Sequence, residues 1–169
     1  FASAAVLGAI TIPMSAVQAQ QVPTLLDATL KLETLVSTGI PIATSMVFIN
    51  STDYVVATKS AGKIRLFASG QTPVDLTFDI PASTWTGLAA GNYSALPVNS
   101  NSERGLLCVQ LHPDFATNKY VYTYATESST GAASAVVGEV VALGNRVDRW
   151  VYDATSKKLV FDMNIIKLQ

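Results

Sequence analysis

Between Glu103 and Asp114 stand Glu103, Arg104, Cys108 and His112, side chains that could do chemistry. A carboxylate next to a guanidinium can bind the hydroxyls of a polar substrate. A thiol can attack, and an imidazole can move a proton near neutral pH. Cys108 lies inside the apolar run Leu106–Leu111. With no basic neighbour along that run to lower its pKa, it reads as a small buried hydrophobe rather than a nucleophile. His112 is the single histidine and opens His112-Pro113-Asp114 at the end of the same run. It reads as a turn or packing residue, with Asp114 capping the turn. Glu103 and Arg104 precede the run and are left as the substrate-contacting pair; the alternative is a surface ion pair of little energetic worth.

The elements that must position these residues read as all-β. The apolar run at 106–111 and the stretch 120–125 are strands joined through a polar turn at Thr117 and Asn118. Tyr120, Tyr122 and Tyr124 fall on one face of the second strand, since side chains alternate, and cross-strand packing accounts for them. Upstream, 46–49, 54–58 and 63–67 are short β-branched or aromatic runs parted by turns at 50–53 and 60–62. That is an antiparallel meander. Residues 81–102 read as a long loop rich in Ser, Asn, Gly and Pro. Residues 136–143 form a further candidate strand, and 146–152 with 158–161 a hairpin around 154–156. Leu30, Leu32, Leu35 and Val36 fit a short strand or a helical turn. Four-stranded meanders recurring about every 40–45 residues are the mark of propeller blades, and residues 20–169 have room for about two to three of them.

Composition narrows the partners. Net charge is −1 and no basic stripe exists, which argues against nucleic acid. The chain is 14% charged against about 25% in ordinary domains, partly because residues 1–19 carry no charge. That segment reads as a signal peptide cleaved before Gln20, truncated at its own start since the chain begins with Phe1. It is short for a membrane span, so no stable span is expected after cleavage. The single cysteine permits neither an intramolecular disulfide nor a thiolate metal site. Asn50-Ser51-Thr52 and Asn92-Tyr93-Ser94 are glycosylation sequons.

Gly62-Lys63-Ile64-Arg65, Glu103-Arg104-Gly105-Leu106-Leu107, His112-Pro113-Asp114-Phe115, Asn118-Lys119-Tyr120-Val121-Tyr122 and Asn145-Arg146-Val147 occur in one order and spacing. Together they resemble the N-terminal part of the glucose/sorbosone dehydrogenases, over residues 35–165. The resemblance implies a six-bladed β-propeller, here a partial one. It also implies oxidation of a sugar's anomeric hydroxyl with pyrroloquinoline quinone (PQQ) as electron acceptor and calcium activating the quinone. On this resemblance Glu103 takes the position of a substrate-contacting glutamine at the mouth of the cleft, with Arg104 behind it. The family's general base, its basic quinone-binding residues and its calcium ligands match nothing up to Gln169, so the expectation is a secreted or periplasmic enzyme whose present piece is inactive alone. Lys59 stands where an arginine is usual and Cys108 where a glycine is usual. A non-catalytic secreted propeller that binds a ligand or a protein partner is the competing reading, because fold does not dictate function.

Overall fold

The computed structural model describes residues 26–36, 39–134 and 144–168. The chain divides into two compact units, Phe1–Ser37 and Thr38–Gln169. Within the described part of the first, neither strand nor helix forms. Asp27 accepts hydrogen bonds from the Thr29 amide (2.8 Å) and hydroxyl (2.6 Å), closing a turn. Leu30, Leu32 and Leu35 remain exposed. The strand or helical turn expected there is absent because these leucines find no apolar partner to repay ordering the backbone. The signal peptide and the candidate strand at 136–143 lie outside the described residues.

The second unit holds the meander. Strands β1 (Ala43–Phe48), β2 (Tyr54–Thr58), β3 (Lys63–Phe67) and β4 (Val74–Asp75) pair antiparallel in sequence order. Their turns follow from local chemistry. Asn50 Oδ1 accepts the amides of Thr52 and Asp53, both at 2.8 Å, and so reverses the chain between β1 and β2. Gly62 reverses it between β2 and β3 at φ +60, against the Leu96 carbonyl, where a Cβ would stand 2.2 Å from the oxygen. Only glycine fits that approach.

After β4, Leu76 alone separates the chain from β5 (Thr77–Ile80), and β6 (Gly91–Tyr93) pairs with β5. Then come β7 (Leu106–Leu111), the single helical turn α1 (Phe115–Asn118), β8 (Tyr120–Thr126), β9 (Asn145–Asp153) and β10 (Lys158–Lys167). Strands β7 to β10 form a second antiparallel meander, and β5 joins its outer edge parallel to β10. The stretch expected to be a loop from 81 to 102 therefore contains strand β6, and Val98 bridges Glu127.

The two sheets share one core. Val55, Ala57, Ile64 and Leu66 of the first cluster with Phe78, Ile80, Val109, Val121, Trp150 and Leu159 of the second, together with Leu76. Burying each large apolar side chain here stabilises by about 1.5–3 kcal/mol. The Trp150 indole donates to Thr123 Oγ1 at 2.9 Å, so this core tryptophan brings no unpaired donor. The first strands of the two meanders lie side by side: Thr44 Oγ1 donates to the Leu106 carbonyl (2.8 Å) and Ser45 Oγ to that of Val109 (3.0 Å). On β8, Val121, Thr123 and Ala125 are buried while the three tyrosines face the other way. Tyr120 lies opposite Val151, and Tyr122 opposite Gln110 and Arg149. Cross-strand packing explains the tyrosines, as expected.

Candidate functional site

Strand β7 has two chemically different ends. At its start the chain turns through residues 101–105, with the Arg104 amide donating to the Asn101 carbonyl (3.1 Å). Several bonds fasten this turn to its surroundings. The Leu106 amide donates to the Lys59 carbonyl (3.0 Å), the Thr126 amide to Gly105 (2.9 Å) and the Asn99 amide to Thr126 (2.9 Å). Gly105 sits at φ +136, and Ser102 at +51. Glu103 is exposed and Arg104 half-buried. Among the described residues neither side chain takes part in an ion pair or a hydrogen bond, and the surface Glu–Arg pair does not form. A well-fastened backbone thus presents two unengaged charged groups.

At the far end of β7 the imidazole of His112 and the carboxamide of Asn118 are engaged with the turn itself. His112 Nδ1 accepts the Asp114 amide at 3.0 Å and lies 2.8 Å from Asn118 Nδ2. Both neighbours offer donors, which assigns the unprotonated nitrogen to Nδ1. The ring packs against Tyr120 and Tyr122. The capping expected of Asp114 is not made by its carboxylate. Its carbonyl instead accepts the amides of Thr117 (2.9 Å) and Asn118 (3.1 Å), and His112 closes the turn. At about 3.3 Å per residue, β7 holds the two ends roughly 17 Å apart. Glu103 and His112 do not converge on one site. Cys108 is half-buried rather than buried, opposite Tyr124 with Ser45 Oγ at 3.9 Å.

Residue-by-residue reading of the sequence missed a buried ion cluster at the Glu103 end. Arg146 Nε and Nη2 fork onto Asp148 at 2.7 and 2.9 Å. Its Nη1 donates to Glu127 (2.9 Å) and to the Thr84 carbonyl (3.0 Å), and the guanidinium lies 4.2 Å over the Trp85 ring. Glu127 also takes the Thr86 amide and, at 2.9 Å, Lys167 Nζ. Asn164 donates to Asp148 at 2.7 Å. Burial pushes the Asp148 carboxyl above its usual range in spite of Arg146. Burial works the same way on Glu127, but the Thr86 amide, Lys167 and Arg146 outweigh it and hold that carboxyl low. The Trp85 indole nitrogen is buried without a partner among the described residues. The cluster binds the 81–104 connection and the start of the 127–144 connection to β9 and β10. One signal was present: Arg146, Asp148 and Trp150 alternate onto a single strand face.

The groups that could hold a quinone or calcium do not assemble here. Among the described residues no three His, Cys, Asp or Glu side chains gather as a metal site. The oxygens of Glu127 and Asp148 are occupied by cations and amides. A cavity between the sheets, bordered by Ile49, Val55, Leu76, Val109 and Leu111 among others, is apolar and suits no sugar. The described residues do not by themselves fit PQQ or calcium. No helix among them is long and apolar enough to cross a membrane.

Two four-stranded antiparallel meanders, packed face to face with their first strands adjacent, are neighbouring blades of a β-propeller. The polar turn before β7, the rim turn, stands at one end of that strand. This chain belongs to the glucose/sorbosone dehydrogenase family, whose model matches residues 40–163. It is similar in fold to the PQQ-bound aldose sugar dehydrogenase of Streptomyces coelicolor, at 21% identity and TM-score 0.57, over 82% of this chain and 34% of that one. A putative oxidoreductase (glucose dehydrogenase) of Thermus thermophilus matches at 25% identity and TM-score 0.53, over 77% and 30%. The soluble aldose sugar dehydrogenase of Escherichia coli, in its apo form, matches at 17% and 0.51, over 76% and 30%. The chain thus spans about a third of the length of these solved relatives. No curated protein sequence matches it.

Proposed function

We propose that this chain is part of a quinoprotein oxidoreductase that oxidises an aldose or related sugar with PQQ as electron acceptor. The family match over residues 40–163 carries the reading. Within it, Glu103 and Arg104 are one wall of the sugar site. The Glu103 carboxylate accepts hydrogen bonds from sugar hydroxyls, and the Arg104 guanidinium donates to them. Both are free to do so because the turn's own bonds use backbone groups. When bound, PQQ would supply a two-electron acceptor and calcium a Lewis acid, held by residues outside those described. The general base, the quinone-binding residues and the calcium ligands belong outside the described residues. Residues 1–19 direct the protein out of the cytoplasm, to the periplasm or the medium. The acceptor that reoxidises the quinone is left open.

The test is dye-linked oxidation of a panel of aldoses and polyols by the complete gene product, reconstituted with PQQ and calcium. Turnover that depends on added quinone is expected. Glu103→Ala should raise KM roughly tenfold at nearly unchanged kcat, as loss of a hydrogen bond to a charged group does. Absence of both sugar oxidation and quinone binding would sink the reading in favour of a propeller that binds without catalysis.

A further inference from the structure

We propose that Lys59 is the positioning residue that sets where the Glu103 carboxylate stands; this rests on the reading of Glu103 as a sugar contact. Lys59 follows β2 and is itself fixed by its backbone. Its amide donates to the Ile42 carbonyl (3.0 Å) and its carbonyl accepts the Leu106 amide (3.0 Å). Its side chain then crosses from the first blade to the turn before β7. The stem lies on Gly105, where an added Cβ would stand 2.8 Å from Lys59 Cγ and 2.7 Å from the Lys59 oxygen. The ammonium donates to the Ser102 carbonyl.

Ser102 (φ +51) and Gly105 (φ +136) bracket Glu103, and both hold the left-handed side of backbone space. A non-glycine residue stays there only when its surroundings impose it. Lys59 touches both brackets, one through a charge-assisted bond and one through packing. The Glu103 side chain makes no bond of its own among the described residues. Its carboxylate is therefore placed by the backbone alone, and the backbone is held across the blade boundary by Lys59. The Lys59 charge is spent on a carbonyl rather than offered to a ligand.

The experiment uses the complete gene product with Lys59→Met, which keeps the stem and removes the donor, and Lys59→Arg, which keeps a cationic donor. Two quantities are read: hydrogen exchange of the Arg104 and Leu106 amides, and KM and kcat for the best sugar. Lys59→Met should speed exchange of those amides and raise KM about tenfold with kcat within twofold. Lys59→Arg should restore both towards wild type. Unchanged exchange in Lys59→Met overturns the inference, and so does an arginine variant that behaves like the methionine one. Glu103→Ala, measured alongside, separates the two ideas. If it leaves KM unchanged, the sugar role of Glu103 fails, while the exchange result still decides whether Lys59 holds the turn.

Discussion

The two ends of β7 carry the most conspicuous polar residues of the chain, and they spend them in opposite ways. At the His112 end, side chains close the turn on one another: imidazole, carboxamide and backbone amide are mutual partners. At the Glu103 end, the turn is held by backbone bonds, by glycine and by groups that reach in from elsewhere, and its own charged side chains are unengaged. A residue type says what a side chain can do. Whether its partners are already consumed says whether it is available to do it. By that criterion the histidine is structural and the glutamate is the functional candidate.

The largest effect is expected at Arg146, whose guanidinium joins two buried carboxylates. Arg146→Leu leaves the Asp148 and Glu127 carboxylates buried, with Asn164, Lys167 and Thr86 as their remaining side-chain partners. Breaking a buried pair in this way costs about 3–5 kcal/mol. Arg146→Lys should recover little, since a point charge cannot fork onto Asp148. Removing Arg146 and Asp148 together in favour of apolar residues should cost less than Arg146→Leu alone. Urea titration of the complete gene product, followed by tryptophan fluorescence, reads this directly. A loss below about 1 kcal/mol for Arg146→Leu would place it with surface ion pairs and remove the basis for a buried anchor.

How much of this was legible in sequence follows from the range of the interactions. Strands β2, β7 and β8 are apolar runs or period-two patterns bounded by turn residues, so their register with sequence neighbours could be read. Strand β5 could not be placed, because its partner β10 is far along the chain and the pairing is parallel. Strand β10 runs past Phe161 to Lys167, six residues beyond the expected hairpin arm (167 − 161). Asp162 and Asn164 interrupt its apolar pattern in sequence, but in the fold they have partners: Arg149 at 2.5 Å and Asp148 at 2.7 Å. The buried cluster was missed for the same reason. A charge in a sequence reads as solvated, and nothing local shows that Arg146 meets Glu127, Thr84 and Trp85. The rim turn was legible because its glycine and its neighbouring strand form one contiguous motif.

A smaller loss is expected from Gly105→Ala, which attacks the rim at its tightest point. The new Cβ would lie 2.7 Å from a backbone oxygen, at a φ of +136 that L-residues rarely adopt. Backbone strain of this kind costs about 1–3 kcal/mol. Because the Lys59 backbone is pinned on both sides, relief has to come from residues 102–104. The variant should therefore lose stability and raise KM for the sugar together. Lost stability with unchanged KM would mean that the turn can shift without moving the site, and the contrast between the two ends would weaken.

The smallest effects should come from the His112 end, and their pattern matters more than their size. His112→Ala removes an acceptor shared by the Asp114 amide and the Asn118 carboxamide, and Asn118→Ala removes one of those donors. Each should cost about 1 kcal/mol, the usual net worth of such a bond. The double variant should cost less than the sum of the two, because the residues are direct partners and contacting residues couple. Neither should change KM for the sugar, since β7 separates this turn from Glu103 by roughly 17 Å. The informative failure is the reverse pattern. If His112→Ala left stability intact and lowered kcat, the imidazole would be available for chemistry after all, and the two ends of β7 would have to exchange roles.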